Sequence, residues 1–217
     1  PLHSALYDEA SSLQFFARHV LHARIDHPAG TIDVYPTHLA SGSDYATNSC
    51  DSSVELLPGF GIDVACPPGC DMAGTVRECQ ARQLIALAGA TRAPAGIALL
   101  AGDFNAVPGS VEYLEITGQG WQDTHLRGDA APCERVGDGG CTSGRDAEAG
   151  ELLQPAARQS RRIDYIFASL PAACSVDEAG VLDQAANPFV TACGASTEAT
   201  CWMSDHSANI ARVSCRL

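Results

Sequence analysis

Ten cysteines are distributed along this 217-residue chain, five of them in its least patterned stretches. Residues 41–74 and 128–160 are rich in Ser, Gly, Pro, Asp and Ala, and they carry Cys50, Cys66, Cys70, Cys133 and Cys141. Loops of that length hold together only when cross-linked or otherwise tied down. An even number of cysteines scattered over loops reads as a disulfide set formed in an oxidising compartment, which places the protein in a secreted or periplasmic/extracellular setting. A zinc site would need clustered pairs at matching spacing. Only Cys66-Pro-Pro-Gly-Cys70 approaches that, and no second pair follows. Cys133–Cys141 and Cys193–Cys201 are plausible short closures; the full connectivity stays open, since ten cysteines allow roughly nine times the 105 arrangements open to eight.

Between the loops the chain is that of a globular protein, with 46% hydrophobic and 18% charged residues. Its length suits one domain over 1–217. The longest apolar run, Gly96–Ala101, is strand-sized and far short of a membrane helix. Pro1–Ser11 has neither the basic region nor the apolar core of a signal peptide. Phe15–Ile25 and Thr31–Leu39 read as strands of an antiparallel hairpin around a turn at Asp26–Gly30. Thr75–Ala88 is a helix with Val76, Cys79, Gln83/Leu84 and Leu87 toward one side, and Ser110–Ile116 is a short helix capped by Ser110. Ala95–Leu100, Arg162–Ala168 and Ile210–Cys215 are further strands. Strands outnumber helices, yet helices lie between some of them, so the expected class is an α/β sandwich in which helices cover sheets.

Asp and Glu number 26 against 13 basic residues, all of them Arg, for a net charge of −13. Such a chain lacks the basic stripe of a non-specific nucleic-acid binder. It can still take a phosphate group where a divalent ion reverses the local sign.

Four short motifs lie at or beside strand ends: Thr37-His38, Gly102-Asp103-Phe104-Asn105, Ile163-Asp164-Tyr165 and Ser204-Asp205-His206. Each alone has a bland reading, as a surface histidine, an Asx turn, a solvated strand aspartate or a helix cap. Together they contain the parts needed to hydrolyse a phosphate ester. Asp103, Asn105 and Asp205 supply hard oxygen ligands suited to Mg²⁺, Mn²⁺ or Ca²⁺. His38 and His206 can donate to phosphoryl oxygens or move protons near neutral pH. Asp164 can hold an imidazole in one tautomer.

On THL at 37–39, GDFNAVP at 102–108, RIDYIFAS at 162–169 and SDH at 204–206, the chain resembles the endonuclease/exonuclease/phosphatase superfamily of DNase I-like enzymes. The resemblance implies a four-layered α/β sandwich with a metal site at the mouth between two sheets. It also implies roles: His38 as the phosphate-contacting histidine and candidate general acid, Asp103 as the residue that orients or deprotonates water, and Asn105 as its phosphate-binding neighbour. Asp205 corresponds to a metal-side carboxylate, His206 to the histidine at the scissile phosphate, and Asp164 to its hydrogen-bonding partner. Trp121-Gln122-Asp123-Thr124-His125 is read as core bracing rather than a second metal site, and at least one of His19 and His22 as structural.

The family also carries an Asn strand and a Glu strand upstream of its Thr-His motif. Only 36 residues precede Thr37 here, and the sole Glu among them, Glu9, is not assigned that role. The chain therefore matches the C-terminal two-thirds of the fold, with another chain or an upstream segment completing it and one sheet edge left unpaired. The function implied is an extracytoplasmic, divalent-metal-dependent phosphodiesterase, with nucleic acid, a phospholipid such as sphingomyelin, or a phosphomonoester as substrate. The alternative is a non-catalytic or split binding module of the same fold.

Overall fold

The structure is a computed structural model that describes residues 2–6, 18–28, 30–41, 70, 73–128, 130–182 and 201–216. Strand β3 (Gly30–His38) shows its role in its alternation: Asp33, Tyr35 and Thr37 are buried and their neighbours less so, the period-two signature of a strand with one covered face. It pairs antiparallel with β2 (His19–His27) from Val20↔Thr37 to His27↔Gly30. The strands therefore run further than the expected turn at Asp26–Gly30 allows, since Asp26 and His27 pair with Thr31 and Gly30, and Gly30 has φ +123°. An unanticipated strand, β1 (Leu2–Leu6), adds antiparallel to β2.

Helix α1 (Val76–Thr91) crosses over to β4 (Ile97–Asp103), which lies parallel to β3. Thr75 caps α1 by accepting from the Glu78 N–H. The helix runs three residues beyond the expected end at Ala88 because tertiary contacts hold its last turn: Arg24 donates to the Thr91 carbonyl, and Tyr35 Oη lies 2.9 Å from Thr91 Oγ1. Helix α2 (Val111–Gly118) follows, with Ser110 as its cap. Strand β5 (Gln122–Asp123) and β6 (Asp164–Ser169) complete a sheet ordered β1-β2-β3-β4-β6-β5.

Tyr35, Ala98, Leu100 and Phe167 project from one face of this sheet against Ala81, Leu84 and Ala88 of α1 and Ile116 of α2. Phe104, Tyr113, Tyr165 and Phe167 form the centre of this core, with ring centroids 4.9–5.8 Å apart. On the opposite face sits a second, two-stranded sheet of β7 (Cys174–Val181) and β8 (Asn209–Cys215). Ile32, Ile97 and Leu99 of the large sheet and Ala211 and Val213 of β8 line a cavity of about 280 Å³ between them. Helix layer, large sheet and small sheet are the three layers of the expected α/β sandwich found among the described residues.

Disulfides tie the periphery down. Cys70–Cys79 fastens residue 70 to the first turn of α1, Cys133–Cys141 closes the short loop read from the sequence, and Cys174–Cys215 joins the outer ends of β7 and β8. Cys193 and Glu9 lie outside the described residues. The Trp121–His125 segment is bracing: buried Asp123 accepts from Tyr113 Oη at 3.0 Å and from Arg162 Nη1 at 2.7 Å, and the Thr124 hydroxyl donates to the Ile166 carbonyl. His22 is structural too, stacked on Tyr35 and 2.8 Å from buried Asp33. No helix among the described residues is long and apolar enough to cross a membrane.

Candidate active site

The parallel pairing of β3 and β4 sets His38 opposite Asp103, and the antiparallel pairing of β4 and β6 sets Asp103 opposite Asp164. Three candidate residues thus occupy one rung across three strands, and residues opposed in a ladder present their side chains to the same face. The rung lies at the carboxyl ends of the two parallel strands, where α/β sheets commonly bind ligands. Gly102 makes this close approach possible. It has φ +136°, and a Cβ there would stand 2.0 Å from the Thr37 carbonyl oxygen.

His206 reaches the rung from the turn before β8. Its Nδ1 lies 2.9 and 3.1 Å from the two Asp164 carboxylate oxygens, and its Nε2 is 4.0 Å from Asp103 Oδ2. His38 Nε2 is 3.3 Å from the same Asp103 oxygen. Asn105, at φ +49°, donates its backbone N–H to Asp103 Oδ1 at 2.7 Å and its side-chain amide to the Leu39 carbonyl at 3.0 Å. Asp205 stands apart from this group: its carboxylate accepts from Ser204 Oγ, and its carbonyl accepts from Gln159 Nε2. His38, Asp103, Asn105, Asp164 and His206 therefore form one contact cluster, with Asp205 adjoining it through the chain.

The electrostatics differ from residue to residue. Burial, with the nearby Asp164 charge, raises the Asp103 carboxyl above its ordinary range. His206 is raised, first by its hydrogen bond to Asp164 and then by the surrounding carboxylates. His38 is lowered by burial in spite of Asp103. One ligand atom each from Asp103, Asp164 and His206 lies within 4.8 Å of the others, and these residues could hold a metal ion. The donor set fits a hard divalent cation, because the Asp164 charge adds to the cost of ionising Asp103 and a cation between the two carboxylates relieves it.

The family model described as "Endonuclease/Exonuclease/phosphatase family" matches residues 19–206. The chain belongs to this family. No curated protein sequence matches it. Among solved structures, an endonuclease/exonuclease/phosphatase family protein from Bacteroides thetaiotaomicron superposes with TM-score 0.58 at 15% identity, over 98% of this chain and 64% of its own. A mannosyl-6-phosphatase from the same species gives 0.59 at 15%, over 99% and 66%. D. rerio TDP2, solved with a single-strand DNA product, gives 0.53 at 14%, over 98% and 67%. The chain spans about two thirds of the length of each.

Two further features of this family member were not read from its sequence. Arg145, almost fully buried, stacks 3.8 Å over Trp202 and donates to the Ser204 carbonyl, which fixes the turn carrying His206; burial pulls its guanidinium down to about 10. Ser143 Oγ lies 3.4 Å from His206 Nε2. Both sit in the 128–160 loop, whose irregular sequence gives no periodicity to place them.

The raised His206 value makes a sign-definite prediction. The folded state binds this proton more tightly than the unfolded chain, so its stabilisation is full below the unfolded value of about 6.5 and is lost as pH rises through the higher folded value. In chelator-containing buffer the melting temperature should fall from pH 6.5 upward, and His206→Gln should flatten that slope. An equal slope in the variant would show that another group is responsible.

Proposed function

We propose that the protein is a secreted, divalent-metal-dependent phosphoesterase that hydrolyses a phosphodiester by attack of an activated water. The observation that carries this reading is the orientation of His206: Asp164 grips Nδ1, which leaves Nε2 directed toward Asp103. Membership of a family whose enzymes hydrolyse phosphoester bonds, typically with a divalent metal, supports it.

In this proposal Asp103 takes a proton from the attacking water, a role helped by a carboxyl held above its ordinary range. His206, kept protonatable near neutrality by Asp164, donates to a phosphoryl oxygen. His38 is neutral at pH 7 and donates an N–H to the phosphate or the leaving oxygen. Asn105 is anchored by its bond to the Leu39 carbonyl and lines the phosphate position. Asp103, with Asn105 beside it, would hold Mg²⁺, Mn²⁺ or Ca²⁺, which when bound would polarise the phosphorus centre and neutralise developing charge; Asp205, one residue before His206, would contribute charge to the same side. The disulfides Cys70–Cys79, Cys133–Cys141 and Cys174–Cys215 support an extracellular or periplasmic location.

The test is hydrolysis of a panel of DNA, RNA, sphingomyelin, a phosphoinositide and a phosphomonoester, with Mg²⁺ and with EDTA. The phosphomonoester and DNA arms are motivated by the phosphatase and the DNA complex among the structural neighbours. The net charge of −13 makes nucleic acid the less favoured diester. Turnover of a diester that EDTA removes and Mg²⁺ restores is expected. Chelator-insensitive turnover, or none on any ester, would count against the proposal.

A further inference from the structure

The Asp164–His206 pair joins two remote pieces of chain, and both pieces converge on one residue outside the four motifs. Thr142 is fully buried. Its side-chain oxygen accepts from the backbone N–H groups of Ile163 and Asp164, each at 3.1 Å. Its carbonyl accepts from the N–H of Ser207, the residue after His206, at 2.7 Å, and its own N–H donates to the Arg161 carbonyl at 2.9 Å. The next residue, Ser143, makes an isolated antiparallel bridge with Arg161 and sets its hydroxyl 3.4 Å from His206 Nε2. The residue before, Cys141, is covalently closed onto Cys133.

We propose that Thr142 is a positioning residue for the candidate active site, its side-chain oxygen fixing the start of β6 and its carbonyl fixing the His206 turn so that Asp164 and His206 meet. The two N–H groups at the start of β6 are held by that one oxygen. The carbonyl of Ile163 in turn accepts from the Phe104 N–H at 2.9 Å, so the same anchor reaches the loop of Asp103 and Asn105. Removing the oxygen leaves two donors without their acceptor at the point where Asp164 leaves the loop, and groups in that state force the backbone to move. Burial of an apolar side chain cannot serve instead, because the contact that matters is an acceptor aimed at two donors. The catalytic consequence rests on the phosphoesterase reading; the positional claim does not.

The experiment reads the ring N–H proton of His206 in low-field NMR spectra of histidine-labelled protein, assigned by its absence in His206→Gln. In the wild type this proton, held by Asp164, should be protected from exchange with water. In Thr142→Val, close in shape but lacking the oxygen, it should exchange or broaden away, and in Thr142→Ser it should persist as in the wild type. An unchanged, protected resonance in a folded Thr142→Val protein overturns the proposal. Should Thr142→Val fail to fold, Thr142→Ser decides: retention supports the oxygen as the anchor, and loss in a folded serine variant overturns it. On a hydrolysed substrate, Thr142→Val should lower kcat roughly tenfold or more with little change in KM, and serine should restore it. Absence of hydrolysis in the wild type would remove the phosphoesterase reading and leave the NMR result to judge the positional one.

Discussion

Replacing His206 with alanine is expected to slow phosphoester hydrolysis by at least ~10²-fold, the scale of a lost general acid–base group. The imidazole faces two carboxylates, with Nδ1 hydrogen-bonded to Asp164 at 2.9 Å and Nε2 directed toward Asp103 at 4.0 Å, and alanine removes both contacts. The loss should fall on kcat more than on KM, because proton transfer is needed in the transition state rather than in binding. A second substitution sharpens the result. Asp164 has its effect through the ring, so Asp164→Ala should cost far less in the His206→Ala background than alone. Additive losses in that double variant would mean that Asp164 acts independently of His206. Steady-state rates on the best ester of the panel, with circular dichroism as a check on folding, give the answer.

The second large effect is on the fold. Gly102→Ala should destabilise the protein by roughly 2–6 kcal/mol, combining about 1–3 for an unfavourable backbone conformation with about 1–3 for a forced overlap. The added methyl would start 2.0 Å from the Thr37 carbonyl oxygen, and backbone at a strand pair has no flexible end to give way. That is a large share of the ~5–15 kcal/mol typical of a domain. The displacement would open the β3–β4 pair next to His38 and Asp103, so whatever folds should also lose activity. Denaturant titration measures the first effect. A variant within about 1 kcal/mol of wild type would mean that β3 and β4 can separate without consequence.

The sequence made the site legible because its residues are polar types at strand ends, and their order along the chain is informative without coordinates. Asp103, Asn105, Asp164 and His206 come together in the structure with His38 beside them. The motif predicts Asp205 on the metal side, yet its contacts are with Ser204 and Gln159; direction within a turn depends on packing that the motif does not encode. Thr142, Ser143 and Arg145 are illegible for a related reason: the partners that tie them to the site, Ile163, Asp164, Ser204 and His206, are 20 or more residues away, and a loop without periodicity gives no register.

Element boundaries failed where tertiary contacts overrode local signals. The helix is expected to end at Ala88, but Arg24 and Tyr35 hold the residues up to Thr91 in it. β7 carries no clear strand signal because Ser175, Asp177 and Glu178 dilute its apolar alternation, and it exists by pairing with β8. β4, by contrast, closes on Gly102 and Asp103, the strand-end motif expected there, and β3 and β6 pair with those residues on both sides, which puts Asp103 within regular sheet.

Placing His38, Asp103 and Asp164 on a single rung has a bearing on descent as well as on chemistry. Their spacing is inherited with the hydrogen-bond ladder, so mutations that rebuild the surrounding rim leave it untouched, whereas a one-residue slip of any of the three strands would turn its group to the far side of the sheet. Sequence change around the rim can thus be extensive while the three side chains keep their relative placement as part of the scaffold.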